Sequence, residues 1–387
     1  MSILFTPKKL NQLQVKNRFI FSACEDNLPT EQGFANDAVI AKSRKIAKGD
    51  VGLIISGHIA VHPLGRTRKR QLGIYNDDMV AGLRKLVGVI HDHGSKILFQ
   101  LGHSGAQTKS DVIGQQPFGP SSKDGKTGEM IEDQIYDAIF AFRDAATRAV
   151  LAGADGIQLH AAHGYLINQF LSPYFNHRQD LWGGSEENMF RFLKSIVTEI
   201  RKSIPEEMPL LIKLNSNDYT PEQGITPELS ISYAKRLSEM NIDGIEVSCG
   251  TSMLSPWNMC RGDVPAKEIA ARFPEPKRTA VESHLAGLSG KFGFQEEYNF
   301  NAATMMQMVA RDVPVFPVGG FRNVSRMGEL VSNGQTDFIS MCRPFIRQPN
   351  LVKLIKDGKL EFVTCTSCNK CLAAIANNLP VKCYLKK

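Results

Sequence analysis

Eight short apolar runs recur along the chain, separated by longer amphipathic stretches. They are "RFIFSA" (18–23), "VGLIISG" (51–57), "KILFQLG" (96–102), "DGIQLH" (155–160), "LLIKLN" (210–215), "DGIEVSCG" (243–250), "VPVFPVGG" (313–320) and "TDFISMCR" (336–343). Most are continuously hydrophobic rather than alternating, as strands covered on both faces should be. Between them lie helix-period patterns such as "QIYDAIFAFRDAATRAVLAGA" and "ITPELSISYAKRLSEMN". In the second, Thr226 can cap the helix and Pro227 can open its first turn. Eight strand-then-helix repeats are the count of a closed (β/α)8 TIM barrel. The competing architecture, an open doubly wound sheet, would want a glycine fingerprint after its first strand, and none is there. The pattern predicts a barrel over residues 1–350, with residues 351–387 as a short C-terminal cysteine-rich extension.

Two stretches depart from the repeat. About fifty residues separate the sixth strand from its helix, far above the usual loop length, which predicts a lid or binding loop. That loop carries Arg261, Lys267, Arg272, Lys277, Arg278 and Lys291. The second departure is the tail. Four of the eight cysteines, Cys365, Cys368, Cys371 and Cys383, fall in a C-x2-C-x2-C-x11-C pattern, which argues for metal or cluster ligation over disulfides. Three thiolates close together and a fourth from a distance suit a four-iron cluster; zinc is the alternative for four thiolates.

Composition narrows the class. With 42% hydrophobic and 22% charged residues the chain reads as globular. The start lacks a secretory h-region, and no apolar run is long enough to span a bilayer, so the expectation is a cytoplasmic protein with no membrane association. Net charge is +7, yet the densest basic run, "GRTRKR" (65–70), has no aromatic interleaving, so it predicts a solvated loop rather than a nucleic-acid surface.

Barrel chemistry sits at the C-terminal ends of strands. Those ends carry Ala23 and Cys24, Gly57 and His58, Gln100, His160, Lys213, Cys249 and Gly250, Gly319 and Gly320, and Cys342 and Arg343. Glycines after the seventh strand and an arginine after the eighth mark a phosphate site. Gln100 offers donor and acceptor to a heterocycle edge. Lys213 is the one cation among the buried strand ends, Arg343 apart, and should face a group that gathers negative charge, such as a reduced flavin. Behind the fourth strand, "HAAHGY" places His160, His163 and Tyr165 within six residues.

These stretches resemble the old yellow enzyme family of FMN-dependent oxidoreductases across the whole barrel. The matching segments are "LFTPKKLNQLQVKNRFIFSA", "QLGHSGAQ" (100–107), "AGADGIQLHAAHGYLINQFLSPYFNHRQDLWGGSEENMFRFL" (152–193), "NDYTPEQG" (217–224), "VGGF" (318–321) and "MCRPFIRQPNL" (341–351). The resemblance implies that His160 and His163 hold an oxygen above the flavin and that Tyr165 delivers a proton. It implies FMN contacts at Ala23, Cys24, Gly57, Gln100, Lys213, Gly319, Gly320, Cys342 and Arg343, and NAD(P)H as electron donor. The family more often has arginine at position 213 and glycine at 342. Glu25 stands where relatives tune the flavin with Thr or Cys, and His58 replaces a small residue.

The tail resembles the [4Fe–4S] site of the 2,4-dienoyl-CoA reductase and trimethylamine dehydrogenase branch, which implies Cys365, Cys368, Cys371 and Cys383 as ligands. The sequence ends four residues after Cys383, so the expectation is that a redox partner protein feeds the cluster, that NAD(P)H reduces FMN directly at the barrel mouth, or that the cluster is structural. The resulting expectation is an ene-reductase acting on an α,β-unsaturated carbonyl compound, acidic or CoA-linked if the basic loop contributes. The alternatives are a dehydrogenase or demethylase passing electrons through FMN and the cluster to a partner, an electron-transfer subunit, and a flavin-free phosphate-binding aldolase or isomerase barrel.

Overall fold

The computed structural model describes residues 2–122 and 125–385. Strands β1 (Phe19–Phe21), β2 (Leu53–Ile55), β3 (Lys96–Gly102), β4 (Gly156–Ala161), β5 (Leu210–Asn215), β6 (Gly244–Ser248), β7 (Val315–Pro317) and β8 (Ile339–Met341) run parallel in chain order, and β8 returns to pair with β1. The seam between β7 and β8 is held by a Val318–Ser340 bridge and by the Gly319 N–H donating to the Ser340 carbonyl at 3.1 Å. The (β/α)8 barrel read from the apolar runs is the fold.

Each strand feeds a helix: α1 (Asp37–Ala47), α2 (Val80–His91), α3 (Glu132–Leu151), α4 (Glu186–Arg201), α5 (Pro227–Ser238), α6 (Phe300–Gln307), α7 (Val324–Ser332) and α8 (Leu351–Lys356). The helix starts follow local chemistry. The Thr226 hydroxyl accepts from the Leu229 N–H with Pro227 at the first helical position, and Ser185 and Asn323 cap α4 and α7 in the same way. Helix α8 follows β8 and buries Leu351, Val352 and Ile355 in the core.

Side chains alternate along each strand between the outer helix layer and the barrel interior. Ile20, Leu53, Ile55, Leu98 and Leu211 point inward and pack with Phe316 and Phe338. Leu10 and Val15 of an N-terminal hairpin (Lys8–Leu10 with Leu13–Val15) join the same cluster and plug the barrel floor. Two residues further along the strands, the inward positions turn polar: Ser22, Gln100, Gln158, Lys213 and Glu246 are all buried. That change from an apolar floor to a polar upper layer places the chemistry.

The long β6–α6 excursion and the cysteine tail form one lobe over the mouth. The excursion holds three short helices, Pro256–Met259, Ala266–Ala270 and Lys277–Ala286, and the tail holds a helix at Lys370–Ala376. Asn369 donates to the Cys260 and Asp263 carbonyls at 2.7 and 3.0 Å, Asn377 to the Glu268 carbonyl at 2.7 Å, and Lys370 pairs with Glu268 at 2.6 Å. Gly262 lets the two backbones meet: a Cβ there would lie 2.0 Å from the Ser367 carbonyl oxygen. Among the described residues, no helix is long and apolar enough to cross a membrane.

Candidate active site

A cavity of about 880 Å³ opens at the C-terminal ends of the strands. Ala23, Cys24, Gln100, His160, His163, Tyr165, Lys213, Gly319, Gly320, Cys342 and Arg343 all line it, so the topology brings together residues up to 320 positions apart. Residues of the excursion (Met253, Trp257, Leu288, Phe294) and of the tail helix (Leu372, Ile375) roof it. Gly57 is the exception. It lies behind the wall, where a Cβ would meet the Cys24 carbonyl oxygen at 2.6 Å, so it packs β2 against β1.

Four rings crowd one side of this cavity. The His160 ring centroid lies 5.0 Å from His163, 4.8 Å from Tyr165 and 5.6 Å from His58, and His58 lies 4.7 Å from Tyr165. The Ala162 N–H donates to His160 Nδ1 at 3.3 Å, so the neutral ring carries its proton on Nε2. His163 adopts a left-handed backbone (φ +63°), held there by three contacts. Its N–H donates to Asn215 Oδ1 at 3.2 Å, and its carbonyl accepts from Gln107 Nε2 at 2.8 Å and from the Ser252 N–H at 3.0 Å. His163 Nε2 sits 2.7 Å from Ser248 Oγ, so one of its two ring nitrogens is already engaged.

Burial, followed by the positive charges of neighbouring histidines and Lys213, holds both His160 and His163 well below the ordinary imidazole range. They are neutral donors near pH 7. Burial pushes the Tyr165 hydroxyl up to about 12, so it keeps its proton. His58 is buried and driven down by the same desolvation, and its Nε2 has no partner among the described residues.

Beneath the rings runs a buried polar chain. Gln100 Nε2 donates to Gln158 Oε1 at 2.7 Å, and Gln158 Nε2 to Glu246 Oε2 at 2.9 Å. Ser22 and Ser340 donate to Glu246 Oε1 at 2.8 and 2.5 Å. Lys213 Nζ lies 3.0 Å from Glu246 Oε2 and donates to Ser22 Oγ at 2.9 Å. Lys213 is therefore not the solitary cation that strand-end reading suggests; Glu246 on β6 neutralises it. Burial raises the Glu246 carboxyl, but Lys213 and the Ser340, Gln158 and Ser22 donors outweigh it and hold it below the carboxylate range.

At the opposite end, Gly319 and Gly320 both take left-handed conformations (φ +91° and +82°). A Cβ on Gly319 would lie 2.3 Å from the Tyr298 hydroxyl, and one on Gly320 2.4 Å from the Glu297 nitrogen. The Gly319 N–H is committed to the barrel seam. Arg343, at the end of β8, donates to the Arg261 carbonyl at 2.8 Å and to Asn369 Oδ1 at 2.6 Å. Cys24 and Cys342 hydrogen-bond side by side at the wall, which lowers the Cys24 thiol and raises Cys342. The "GRTRKR" run is not wholly solvated: Arg68 turns inward to pair with Glu25 at 2.9 Å and donates to the Ile375 carbonyl at 3.0 Å.

A family model described as NADH:flavin oxidoreductase / NADH oxidase matches residues 3–259. The chain belongs to that family. It is 35% identical over 335 residues to an NADPH dehydrogenase of Geobacillus sp. (strain WCH70), covering 86% of this chain and 96% of the relative. Among solved structures it resembles the old yellow enzyme homologue of Zymomonas mobilis (TM-score 0.72, 25% identity, 94% of this chain and 96% of that one). It also resembles a 2-naphthoyl-CoA reductase in complex with 2-naphthoyl-CoA (TM-score 0.84, 27% identity, 98% of this chain) and spans 56% of that chain's length. Family membership makes the protein an old yellow enzyme-type oxidoreductase that uses FMN and NAD(P)H.

The tail cysteines of this flavin oxidoreductase share a second, smaller cavity. Cys365, Cys368, Cys371 and Cys383 line it with Arg343 and Arg347, and Arg347 donates to Cys383 Sγ at 3.3 Å. Arg343, Cys365 and Ser367 wall both cavities. Among the described residues, no three His, Cys, Asp or Glu side chains converge closely enough to hold a single metal ion.

Sequence reading missed Gln158, Glu246, Ser248 and Ser252. The first two carried a signal, since a polar residue inside an apolar strand run either faces a partner or is costly.

Proposed function

We propose that this protein reduces the C=C bond of an α,β-unsaturated carbonyl compound with electrons from NAD(P)H. The observation that carries the reading is the neutral ring cluster of His160, His163 and Tyr165 at one wall of the strand-end cavity. When bound, FMN supplies two-electron transfer between nicotinamide and substrate. His160, with its Nε2 proton, holds the carbonyl oxygen together with His163. As the alkene is reduced, negative charge grows on that oxygen, and a preorganised donor there typically contributes about 2.7–4 kcal/mol. Tyr165, protonated because it is buried, gives its proton to the α-carbon. A conjugated acyl thioester, the ligand class of the solved 2-naphthoyl-CoA reductase, falls within the proposed substrate range.

The walls fit FMN. Ala23, Cys24, Gln100 and Lys213 would border the ring, with Gly57 supporting from behind. Gly319, Gly320, Cys342 and Arg343 line the other end of the cavity and would receive the phosphate end, with the two glycines in left-handed turns packed against Tyr298 and Glu297. Anaerobic turnover of cyclic enones with NADPH and NADH tests the reading. Tyr165→Phe should slow enone reduction by about 10²–10⁴-fold. Unchanged enone turnover in that variant, or none in the wild type, refutes it.

We further propose that Cys365, Cys368, Cys371 and Cys383 hold a [4Fe–4S] cluster. Four thiols lining one small cavity, in a C-x2-C-x2-C-x11-C spacing, support this. The wall shared with the larger cavity favours a second reading, a dehydrogenase or demethylase that hands electrons to a partner protein. Iron and sulfide analysis of anaerobically purified protein decides: about four irons per chain is expected, and zinc without iron overturns it.

A further inference from the structure

We infer that Tyr219, Met253 and Leu254 form an apolar subsite at the rim of the strand-end cavity, which takes an apolar substituent on the carbonyl side of the substrate; this rests on the ene-reductase reading above. All three side chains line the cavity and yet stand in solvent, with 48%, 65% and 46% of their surface exposed. A single exposed apolar residue is ordinary, but several large ones at one cavity mouth mark a binding surface.

The rim is rigid because its polar groups are engaged beneath it. Asp218 is fully buried, and its carboxylate accepts from the Asn168 and Asn215 amides at 3.1 and 2.8 Å and from the Ile225 N–H at 3.0 Å. The Asp218 carbonyl accepts from Ser255 Oγ at 2.7 Å, and the Asn217 carbonyl from the Gly250 N–H at 2.7 Å. Those bonds join the loop after β5 to the start of the excursion and bring the next residues along, Tyr219 and Leu254, to one edge. Thr251 Oγ1 accepts from the Leu254 and Ser255 N–H groups at 3.1 and 3.2 Å, closing the turn that presents Met253. Tyr219 takes a left-handed backbone (φ +50°), held by its N–H donating to Asn217 Oδ1 at 2.7 Å. That conformation is unfavourable for an aromatic residue, and the ring gains no core burial in return.

The same turn is tied to the ring cluster. Thr251 forms a bridge with His163, and the Ser252 N–H donates to the His163 carbonyl at 3.0 Å, which leaves Met253 one residue beyond. In the proposed reaction His160 and His163 hold the carbonyl oxygen, and Tyr165 faces the α-carbon. The other substituent of the carbonyl carbon is then the one free to run out past His163 along the rim. An apolar chain there takes exposed methyl, methylene and ring surface out of water, whereas a charged group would lose its hydration against it.

The test assays FMN-loaded wild type anaerobically on alkyl vinyl ketones from methyl to pentyl, which differ only in the carbonyl-side chain. Full burial of a methylene is worth about fourfold, so a chain lying along an open rim should raise kcat/KM by about twofold per methylene and about tenfold or more across the series. The corresponding saturated ethyl ketones should tighten in parallel, read as Kd from the perturbed flavin absorbance, which needs no turnover. Met253→Gln, which keeps the length but adds an amide, and Tyr219→Asn, which tolerates the left-handed backbone, should each flatten both slopes. Met253→Leu should keep them. A flat slope in wild type, or an unchanged slope in both polar variants, overturns the subsite and leaves enone reduction standing. Absence of enone turnover in wild type overturns the ene-reductase reading, and the ketone slopes then decide the subsite on their own. A dimer in sedimentation that Met253→Gln dissociates assigns the rim to a second copy and overturns the proposal.

Discussion

Glu246→Gln probes the deepest feature of the site. Glu246 is fully buried and accepts from Ser22, Ser340 and Gln158, with the Lys213 ammonium 3.0 Å away. Glutamine keeps the shape. Its oxygen can still accept from Gln158, and its amide can face hydroxyls that rotate to receive it, so the substitution isolates the charge. At 3.0 Å and an effective dielectric near 20, the pair's attraction is about 5–6 kcal/mol. Removing one partner of a buried pair costs about 3–5 kcal/mol because the other charge is stranded. The two magnitudes agree, so Glu246→Gln should lose about 3–5 kcal/mol in urea unfolding. Adding Lys213→Met should recover most of that loss, since a buried pair replaced as a unit is close to neutral. The pH dependence has a fixed sign. The folded carboxyl titrates below its usual 4.5, so its stabilisation is complete above about pH 4.5 and lost as pH falls through the lower folded value. The variant should flatten that acid limb. A single variant within about 1 kcal/mol of wild type, or a double variant no better than the single, would refute the argument.

Three further outcomes follow from backbone and titration. Gly320→Ala should weaken FMN retention by about tenfold or more, read by flavin fluorescence, because the residue sits at φ +82° and its Cβ would overlap the Glu297 nitrogen. Gly88→Ala, where a Cβ meets nothing, should instead stabilise α2 by about 0.5–1 kcal/mol. Burial, with the charge of His62, pushes His103 down to about 3. Below about pH 6.5 the unfolded chain therefore binds a proton that the folded chain refuses, and stability drops as the pH is lowered. His103→Gln should remove about 2 kcal/mol of the stability difference between about pH 7 and pH 5, measured by urea midpoints at both.

The barrel was legible because burial on both faces leaves an unbroken apolar signature, and the same signature concealed part of the site. "DGIEVSCG" reads as one more covered strand, yet Glu246 is an inward position, as Gln158 is within "DGIQLH". Period-2 alternation puts Leu98 then Gln100 on the inner face of β3, and Leu211 then Lys213 on that of β5. A sequence alone does not say which strands will set these positions at one height. The parallel register does, pairing Gln100 with Gln158 and Lys213 with Glu246. Lys213 therefore reads as a lone cation in the sequence and as half of an ion pair in the fold. Arg68 changes meaning in the same way: its composition says loop, but Glu25 and the last turn of the tail helix turn it inward. The histidine motif needed no such help, since His160, His163 and Tyr165 are brought together by six consecutive residues and one left-handed turn. Local chemistry was readable where the chain itself sets the spacing. Where strand register sets it, the partners come from far along the sequence, and only the closed barrel supplies them.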